Sequence, residues 1–200
     1  MDEVLSLMPP TDHKWNLSSS LPLATLVLAL AAGTWGVFGA LITLTAQGFG
    51  LTSTQFSAIL MAPVMVSLAL VWPCYRWAVG ATNPGNGLLI AFIALIPSLA
   101  GLALANHFSH LLLVGAGLGI VPGCFVIGVV YLRKLTHIPC VILTVTLLIL
   151  SVLGLIFAYA ATPLITEAFG WRFTPLMSIG LIVIAASFHA ALGEAPEPQV

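Results

Sequence analysis

The stretch LTHIPCVILTVTLLILSVLGLIFAYAATPLIT, Leu135 to Thr166, contains no Asp, Glu, Lys or Arg, and its apolar residues cover every face of a helix. A helix that is apolar all round is buried in a large core or in lipid, and in lipid it also satisfies its own backbone polar groups. The pattern recurs in both directions along the chain. No charged residue occurs from Trp15 to Tyr75, from Trp77 to Leu132, or from Phe173 to Gly193. Each window holds one or two spans of about 20 residues. The strict apolar–polar alternation that a membrane β-barrel needs, in segments of about ten residues, is missing.

Composition agrees. The 200 residues are 60% hydrophobic and 6% charged, with five Lys or Arg, six Asp or Glu and a net charge of -1. A soluble domain carries about a quarter charged residues, and a disordered chain is far less apolar. No basic run of the kind that neutralises phosphates occurs, which excludes a nucleic-acid partner. The reading is an all-α integral membrane protein with a six-helix bundle over 21–192, an N-terminal segment over 1–20, a tail over 193–200, the bilayer as its first partner, and no second domain. Asp2 and Glu3 stand where a secretory signal needs positive charge, so no signal peptide is expected.

Turn residues divide the windows into six helices. The first runs from Leu21 to Ala46 and ends at Gly48-Phe49-Gly50. The second begins at Thr52-Ser53-Thr54-Gln55, where a hydroxyl followed three residues later by Gln forms a capping box, and runs to Trp77. The polar stretch from Gly80 to Gly87 closes it. The third spans Leu88 to Ala105, with a kink expected at Pro97; the fourth spans His110 to Leu132 and stops at Arg133-Lys134. The fifth spans Pro139 to Ala161, with Pro163 just past its end, and the sixth spans Phe173 to Leu192. An even count places both termini on one side. That side collects Lys14, Arg76, Arg133 and Lys134 against Arg172 alone on the other, so the termini are expected in the cytoplasm and the chain in a bacterial inner membrane.

Few residues carry chemistry. Cys74, Cys124 and Cys140 form no C-x-x-C pair and read as small apolar packers. His107 and His110 form an H-x-x-H, a weak metal candidate with no third ligand in view. Trp15, Trp72, Trp77 and Trp171 fall near span ends, as interfacial anchors do. Trp35 lies mid-span, where it either packs or stacks on a solute. Gly115, Gly119 and Gly123 recur every four residues and Gly33, Gly36 and Gly39 every three, so each set lines a stripe that another backbone can approach closely, for static packing or for sliding during gating. No ionisable side chain falls at the centre of a span, which leaves proton coupling and anion binding by a buried arginine without their usual groups. The polar candidates left for a solute path are Trp35, Thr43, Thr144 and Thr146. No cofactor motif and no catalytic pair for an intramembrane enzyme is visible.

Several stretches resemble the major facilitator superfamily. The lead-in to the second helix, Gly50-Leu51-Thr52-Ser53-Thr54-Gln55-Phe56, the glycine-rich Gly115 to Gly123, and Glu167-Ala168-Phe169-Gly170-Trp171-Arg172 are similar, in order, to the N-terminal half of these transporters, most of all the nitrate/nitrite porter branch. The resemblance implies a half bundle of two inverted three-helix repeats that holds substrate against a second bundle. This sequence departs from the family pattern at three places. Cys74-Tyr75-Arg76-Trp77-Ala78-Val79-Gly80 keeps an arginine but no acid, Val71 stands where the porters place a substrate arginine, and Val141 to Leu150 lacks glycine. Two functions follow as expectations: a half-size small-solute carrier that pairs with a second copy or another bundle, or a transport-inactive accessory subunit of a larger membrane complex.

Overall fold

A computed structural model of the chain describes residues 20–46, 48–136 and 138–192. The N-terminal segment with Lys14 and Trp15, and the tail from 193, lie outside these residues. The elements are α1 (Ser20–Thr45), α2 (Ser53–Gly80), α3 (Pro84–Ile93), α4 (Leu95–Ala103), α5 (Phe108–Leu118), α6 (Val121–Leu135), α7 (Cys140–Phe169) and α8 (Phe173–Leu192). No strand occurs among the described residues. Among the described residues six stretches are long and apolar enough to cross a membrane: α1, α2, α3 with α4, α5 with α6, α7 and α8.

The capping box at Thr52 is present. Its Oγ1 accepts from the Gln55 N–H at 3.3 Å, and its own N–H donates to Gln55 Oε1 at 3.0 Å. Two donors that would be orphaned at the start of α2 are thereby satisfied.

Helix ends shift by one to three residues at several places, and three larger differences from the sequence reading stand out. The third span begins at Pro84 rather than Leu88, because Asn83 caps it by accepting the Gly85 N–H at 3.1 Å and proline suits a first helical position. The fifth span continues through Pro163 to Phe169. Gly170, at φ +85, ends it in a conformation that side chains resist. The fourth span, read as continuous, breaks between Leu118 and Val121. That break falls three residues ahead of Pro122, as the break at Ala94 falls three ahead of Pro97. A proline lacks the N–H that would bond four residues back and its ring crowds that carbonyl, so each span is interrupted in the turn preceding its proline.

Span pairing has a two-fold character. The first span packs most closely on the fifth and the second on the fourth; the first also meets the sixth, and the third the fourth. Exchanging spans 1 to 3 with spans 4 to 6 maps these pairs onto one another. Three is odd, so corresponding spans cross the membrane in opposite directions, which is the relation of inverted repeats. The core follows α1, the most buried span, with Leu28, Leu41, Phe92, Leu99, Leu118 and Tyr131 enclosed, while α2 and α7 expose most of their surface.

Candidate functional site

The centre of the bundle is built around the break in the fourth span. Pro122 cannot donate to the carbonyl of Leu118, and that carbonyl instead accepts the indole Nε1–H of Trp35 at 2.7 Å. A backbone acceptor left unpaired in an apolar interior costs free energy comparable to a lost hydrogen bond, so Trp35 repairs what the proline removes. Its indole N–H is committed to this carbonyl, and its ring packs against the core.

Glycine brings two pairs of helices into backbone contact. A Cβ at Gly115 would meet Ile59 O and Phe38 Cζ at 3.1 Å; one at Gly119 would meet Val66 Cβ at 2.5 Å and Pro63 O at 2.9 Å; one at Gly123 would meet Cys74 Sγ at 2.9 Å. These three glycines seat the fourth span on α2. In α1, a Cβ on Gly36 would run into Leu155 O, and one on Gly33 would touch Ala158 at 3.4 Å; from the other side, Gly154 of α7 lies against Ala29 O. Gly39 is looser, with only Tyr159 within reach. The seams join spans 4 to 2 and 1 to 5, so they obey the same exchange as the pairing.

Beside the second seam lies a cleft of about 440 Å³ between α1, α7 and α8. Its polar groups are Thr34, Thr162, Thr174 and Ser178. Thr34 Oγ1 donates to Ala31 O at 2.7 Å, Thr162 Oγ1 to Ala158 O at 2.7 Å, and Ser178 Oγ to Thr174 O at 3.1 Å. Thr174 Oγ1 pairs with Thr166 Oγ1 at 3.3 Å. These hydroxyls are spent within the protein, and the cleft offers a solute mainly alkyl and aromatic surface.

The four polar candidates do not converge. Trp35 is central, whereas Thr43 is exposed near the end of α1 with its Oγ1 on Gly39 O at 2.8 Å. Thr144 and Thr146 lie near the start of α7, toward the opposite membrane surface, where Thr146 lines a separate groove of about 400 Å³. His107 and His110 are exposed with ring centroids 5.7 Å apart, and no group of three His, Cys, Asp or Glu that could hold a metal occurs among the described residues. The three cysteines are free thiols. The described charged side chains, Arg76, Arg133, Lys134, Glu167 and Arg172, are all exposed and near span ends. On one face Arg172 donates to Asn106 Oδ1 at 2.8 Å and stacks over Trp171 at 5.2 Å. On the other, Lys134 Nζ donates to Ala81 O at 2.7 Å, tying the last turn of α6 to the C-cap of α2. One polar residue escaped the sequence reading. His189, in the last turn of α8, is 5% exposed, and its Nδ1 has no hydrogen-bond partner.

The chain is 27% identical over 182 residues to a probable nitrate transporter, NarT, of Staphylococcus carnosus. The chain is a transporter-like membrane protein. The alignment takes in 90% of this chain and 47% of that transporter, so the chain spans about half the length of the curated relative it matches. The relationship to nitrate porters inferred from the motifs thus has a counterpart along nearly the whole sequence. No protein-family profile and no solved structure matches the chain.

Proposed function

We propose that this bundle is one half of a small-solute carrier of major-facilitator type, with its solute path between this bundle and a second six-helix bundle supplied by a second copy or another membrane subunit. The observation that carries the reading is the alignment of nearly all of a six-span bundle with half of a transporter. The exposed faces support it. Along α2, Met61, Met65, Leu68 and Trp72 recur at four, three and four residues and are all exposed, the spacing of an interhelical seam. Both termini face the cytoplasm of a bacterial inner membrane in this reading, the side of Arg76, Arg133 and Lys134.

Nitrate is a poor substrate for this bundle by itself. Small anions lose hydration worth many kcal/mol on entering a low-dielectric path, and Val71 offers no charge where the porters are expected to place an arginine. Weakly polar or neutral solutes suit a surface that offers mainly alkyl and aromatic groups. The test is the mass and composition of the particle extracted in mild detergent, together with solute flux after reconstitution. A homodimer, or a complex with one further six-helix bundle, supports the carrier. A stoichiometric complex with unrelated subunits and no flux supports the accessory role instead, and a monodisperse monomer overturns the need for pairing.

A further inference from the structure

The cleft between α1, α7 and α8 is open along one side. Both of its walls, α7 and α8, pack on α1 more closely than on each other, so they splay over α1 and leave a slot with α1 as its floor. Leu153 and Phe157 of α7 and Met177 and Leu181 of α8 stand exposed along the slot. All three helices are spans, so the slot opens sideways into hydrocarbon. No residue of α2 lines it, which separates it from the stripe of Met61, Met65, Leu68 and Trp72.

Its depth is that of one leaflet. The floor runs from Leu26 to Val37, a rise of about 16 Å, and α7 lines it from Leu150 to Ile165, about 22 Å, at the usual rise per helical residue. Half of a hydrocarbon core is roughly 15 Å. One end lies at Ile165 and Thr174, next to the loop that carries Trp171 and Arg172, and the other stops within the spans at Leu26 and Leu150. The interior offers no donor to spare, because Thr34, Thr162 and Ser178 each bond a carbonyl of their own helix and Thr174 pairs with Thr166. A hydrated solute would give up water there for nothing, whereas a hydrocarbon chain has no polar group to desolvate.

The mouth carries charge of both signs. Arg172 stands two residues before Thr174, and its bond to Asn106 takes one of the five N–H donors of a guanidinium. Glu167 stands two residues past Ile165 and is exposed. Trp171, edge-on to Phe49, sits beside them as interfacial tryptophans do at the headgroup level. A phosphate joined to an ammonium matches both charges, and a free fatty acid matches one.

We propose that this cleft holds one acyl chain of a zwitterionic phospholipid from the leaflet on the Arg172 side, with the lipid phosphate on Arg172 and its ammonium toward Glu167. The acyl chain fills the gap between α7 and α8 and completes the packing of both walls over α1. The site rests on the six spans and not on the carrier reading, so either can fail without the other.

The test uses the full chain in mild detergent, titrated with palmitoyl-oleoyl phosphatidylethanolamine and followed by native mass spectrometry. A single lipid should be retained, with saturation. Ala161→Phe and Ser178→Phe each place a ring in the cleft from opposite walls, and each should weaken retention about tenfold or more by displacing the acyl chain. Ala160→Phe adds the same bulk on exposed surface outside the cleft and should change nothing. Arg172→Gln should weaken retention about tenfold, as loss of a charge-assisted hydrogen bond does. A second readout needs no ring in the cleft: with one equivalent of the lipid, a benzoylphenylalanine photoprobe at Met177 should crosslink to lipid severalfold more than one at exposed Leu164. Crosslinks from Met177 to a second copy would show that protein covers the cleft and overturn the proposal. Equal retention in Ala161→Phe, Ser178→Phe and Ala160→Phe, equal crosslinking at the two positions, or unaltered retention in Arg172→Gln would overturn it too.

Discussion

Replacing Trp35 by Phe removes one hydrogen bond from the centre of the bundle together with some core packing, and the packing part is common to the Pro122→Ala control. The lost bond is the 2.7 Å contact from Trp35 Nε1 to Leu118 O. Hydrogen bonds between side chains in membrane bundles average about 0.6 kcal/mol and reach about 1.7, because the freed group usually finds another partner. Leu118 O has no such alternative in its own helix, since the residue four ahead is Pro122. The cost should therefore lie at the upper end, about 1.5 kcal/mol, within the range for an orphaned buried acceptor. Pro122→Ala supplies the missing N–H and provides the control. In that background Trp35→Phe should cost about 0.5 kcal/mol, leaving a coupling of about 1 kcal/mol in the double-mutant cycle. Reversible unfolding of the four proteins in mixed micelles measures it. Equal costs in the two backgrounds would refute the assignment of Trp35 as the partner of the broken span.

Gly36→Leu and Gly119→Leu should each destabilise the bundle by several kcal/mol, since their Cβ atoms would meet Leu155 O and Pro63 O, backbone atoms that cannot rotate away; micelle unfolding reads both. Thr52→Ala should cost about 1 kcal/mol through loss of the cap, and Ser at the same position should restore most of it. Impermeant maleimide should label Cys140 from the cytoplasmic side and a cysteine placed at Ser109 from the opposite side; labelling from one side only would break the six-span topology. In liposomes at defined pH and potential, the purified chain should show no saturable nitrate or proton flux above a protein-free control, and such flux would show that a fixed deep charge is dispensable here.

The sequence reveals the spans because charge is excluded from lipid, and eleven charges among 200 residues mark the gaps between helices. It reveals the start of α2 because a capping box is local, decided within Thr52 to Gln55. The break at Gly119 is harder to read. Pro122 stands within a glycine stripe whose spacing suggests a continuous helix, and the group that makes the break tolerable, Trp35, is far away in sequence. Pro163 misleads in the opposite direction: in water a proline there would end the helix, whereas among packed spans the chain keeps its ladder to Gly170. The cleft between α1, α7 and α8 has no sequence signature. Thr34, Thr162 and Thr174 stand on three separate helices, and only the folding of those spans brings them to one point.

The described charges all stand near the membrane surfaces, and this fixes how the bundle meets a transmembrane voltage. One elementary charge moved across the whole potential is worth about 2.3 kcal/mol per 100 mV, and voltage sensors work by carrying such charges through the field. Between the Arg172 end and the Lys134 end no described residue has a charge to carry. The membrane potential therefore does almost no work on rearrangements of these six spans. Any electrogenic behaviour of an assembly containing them must come from the solute itself or from the helices facing them.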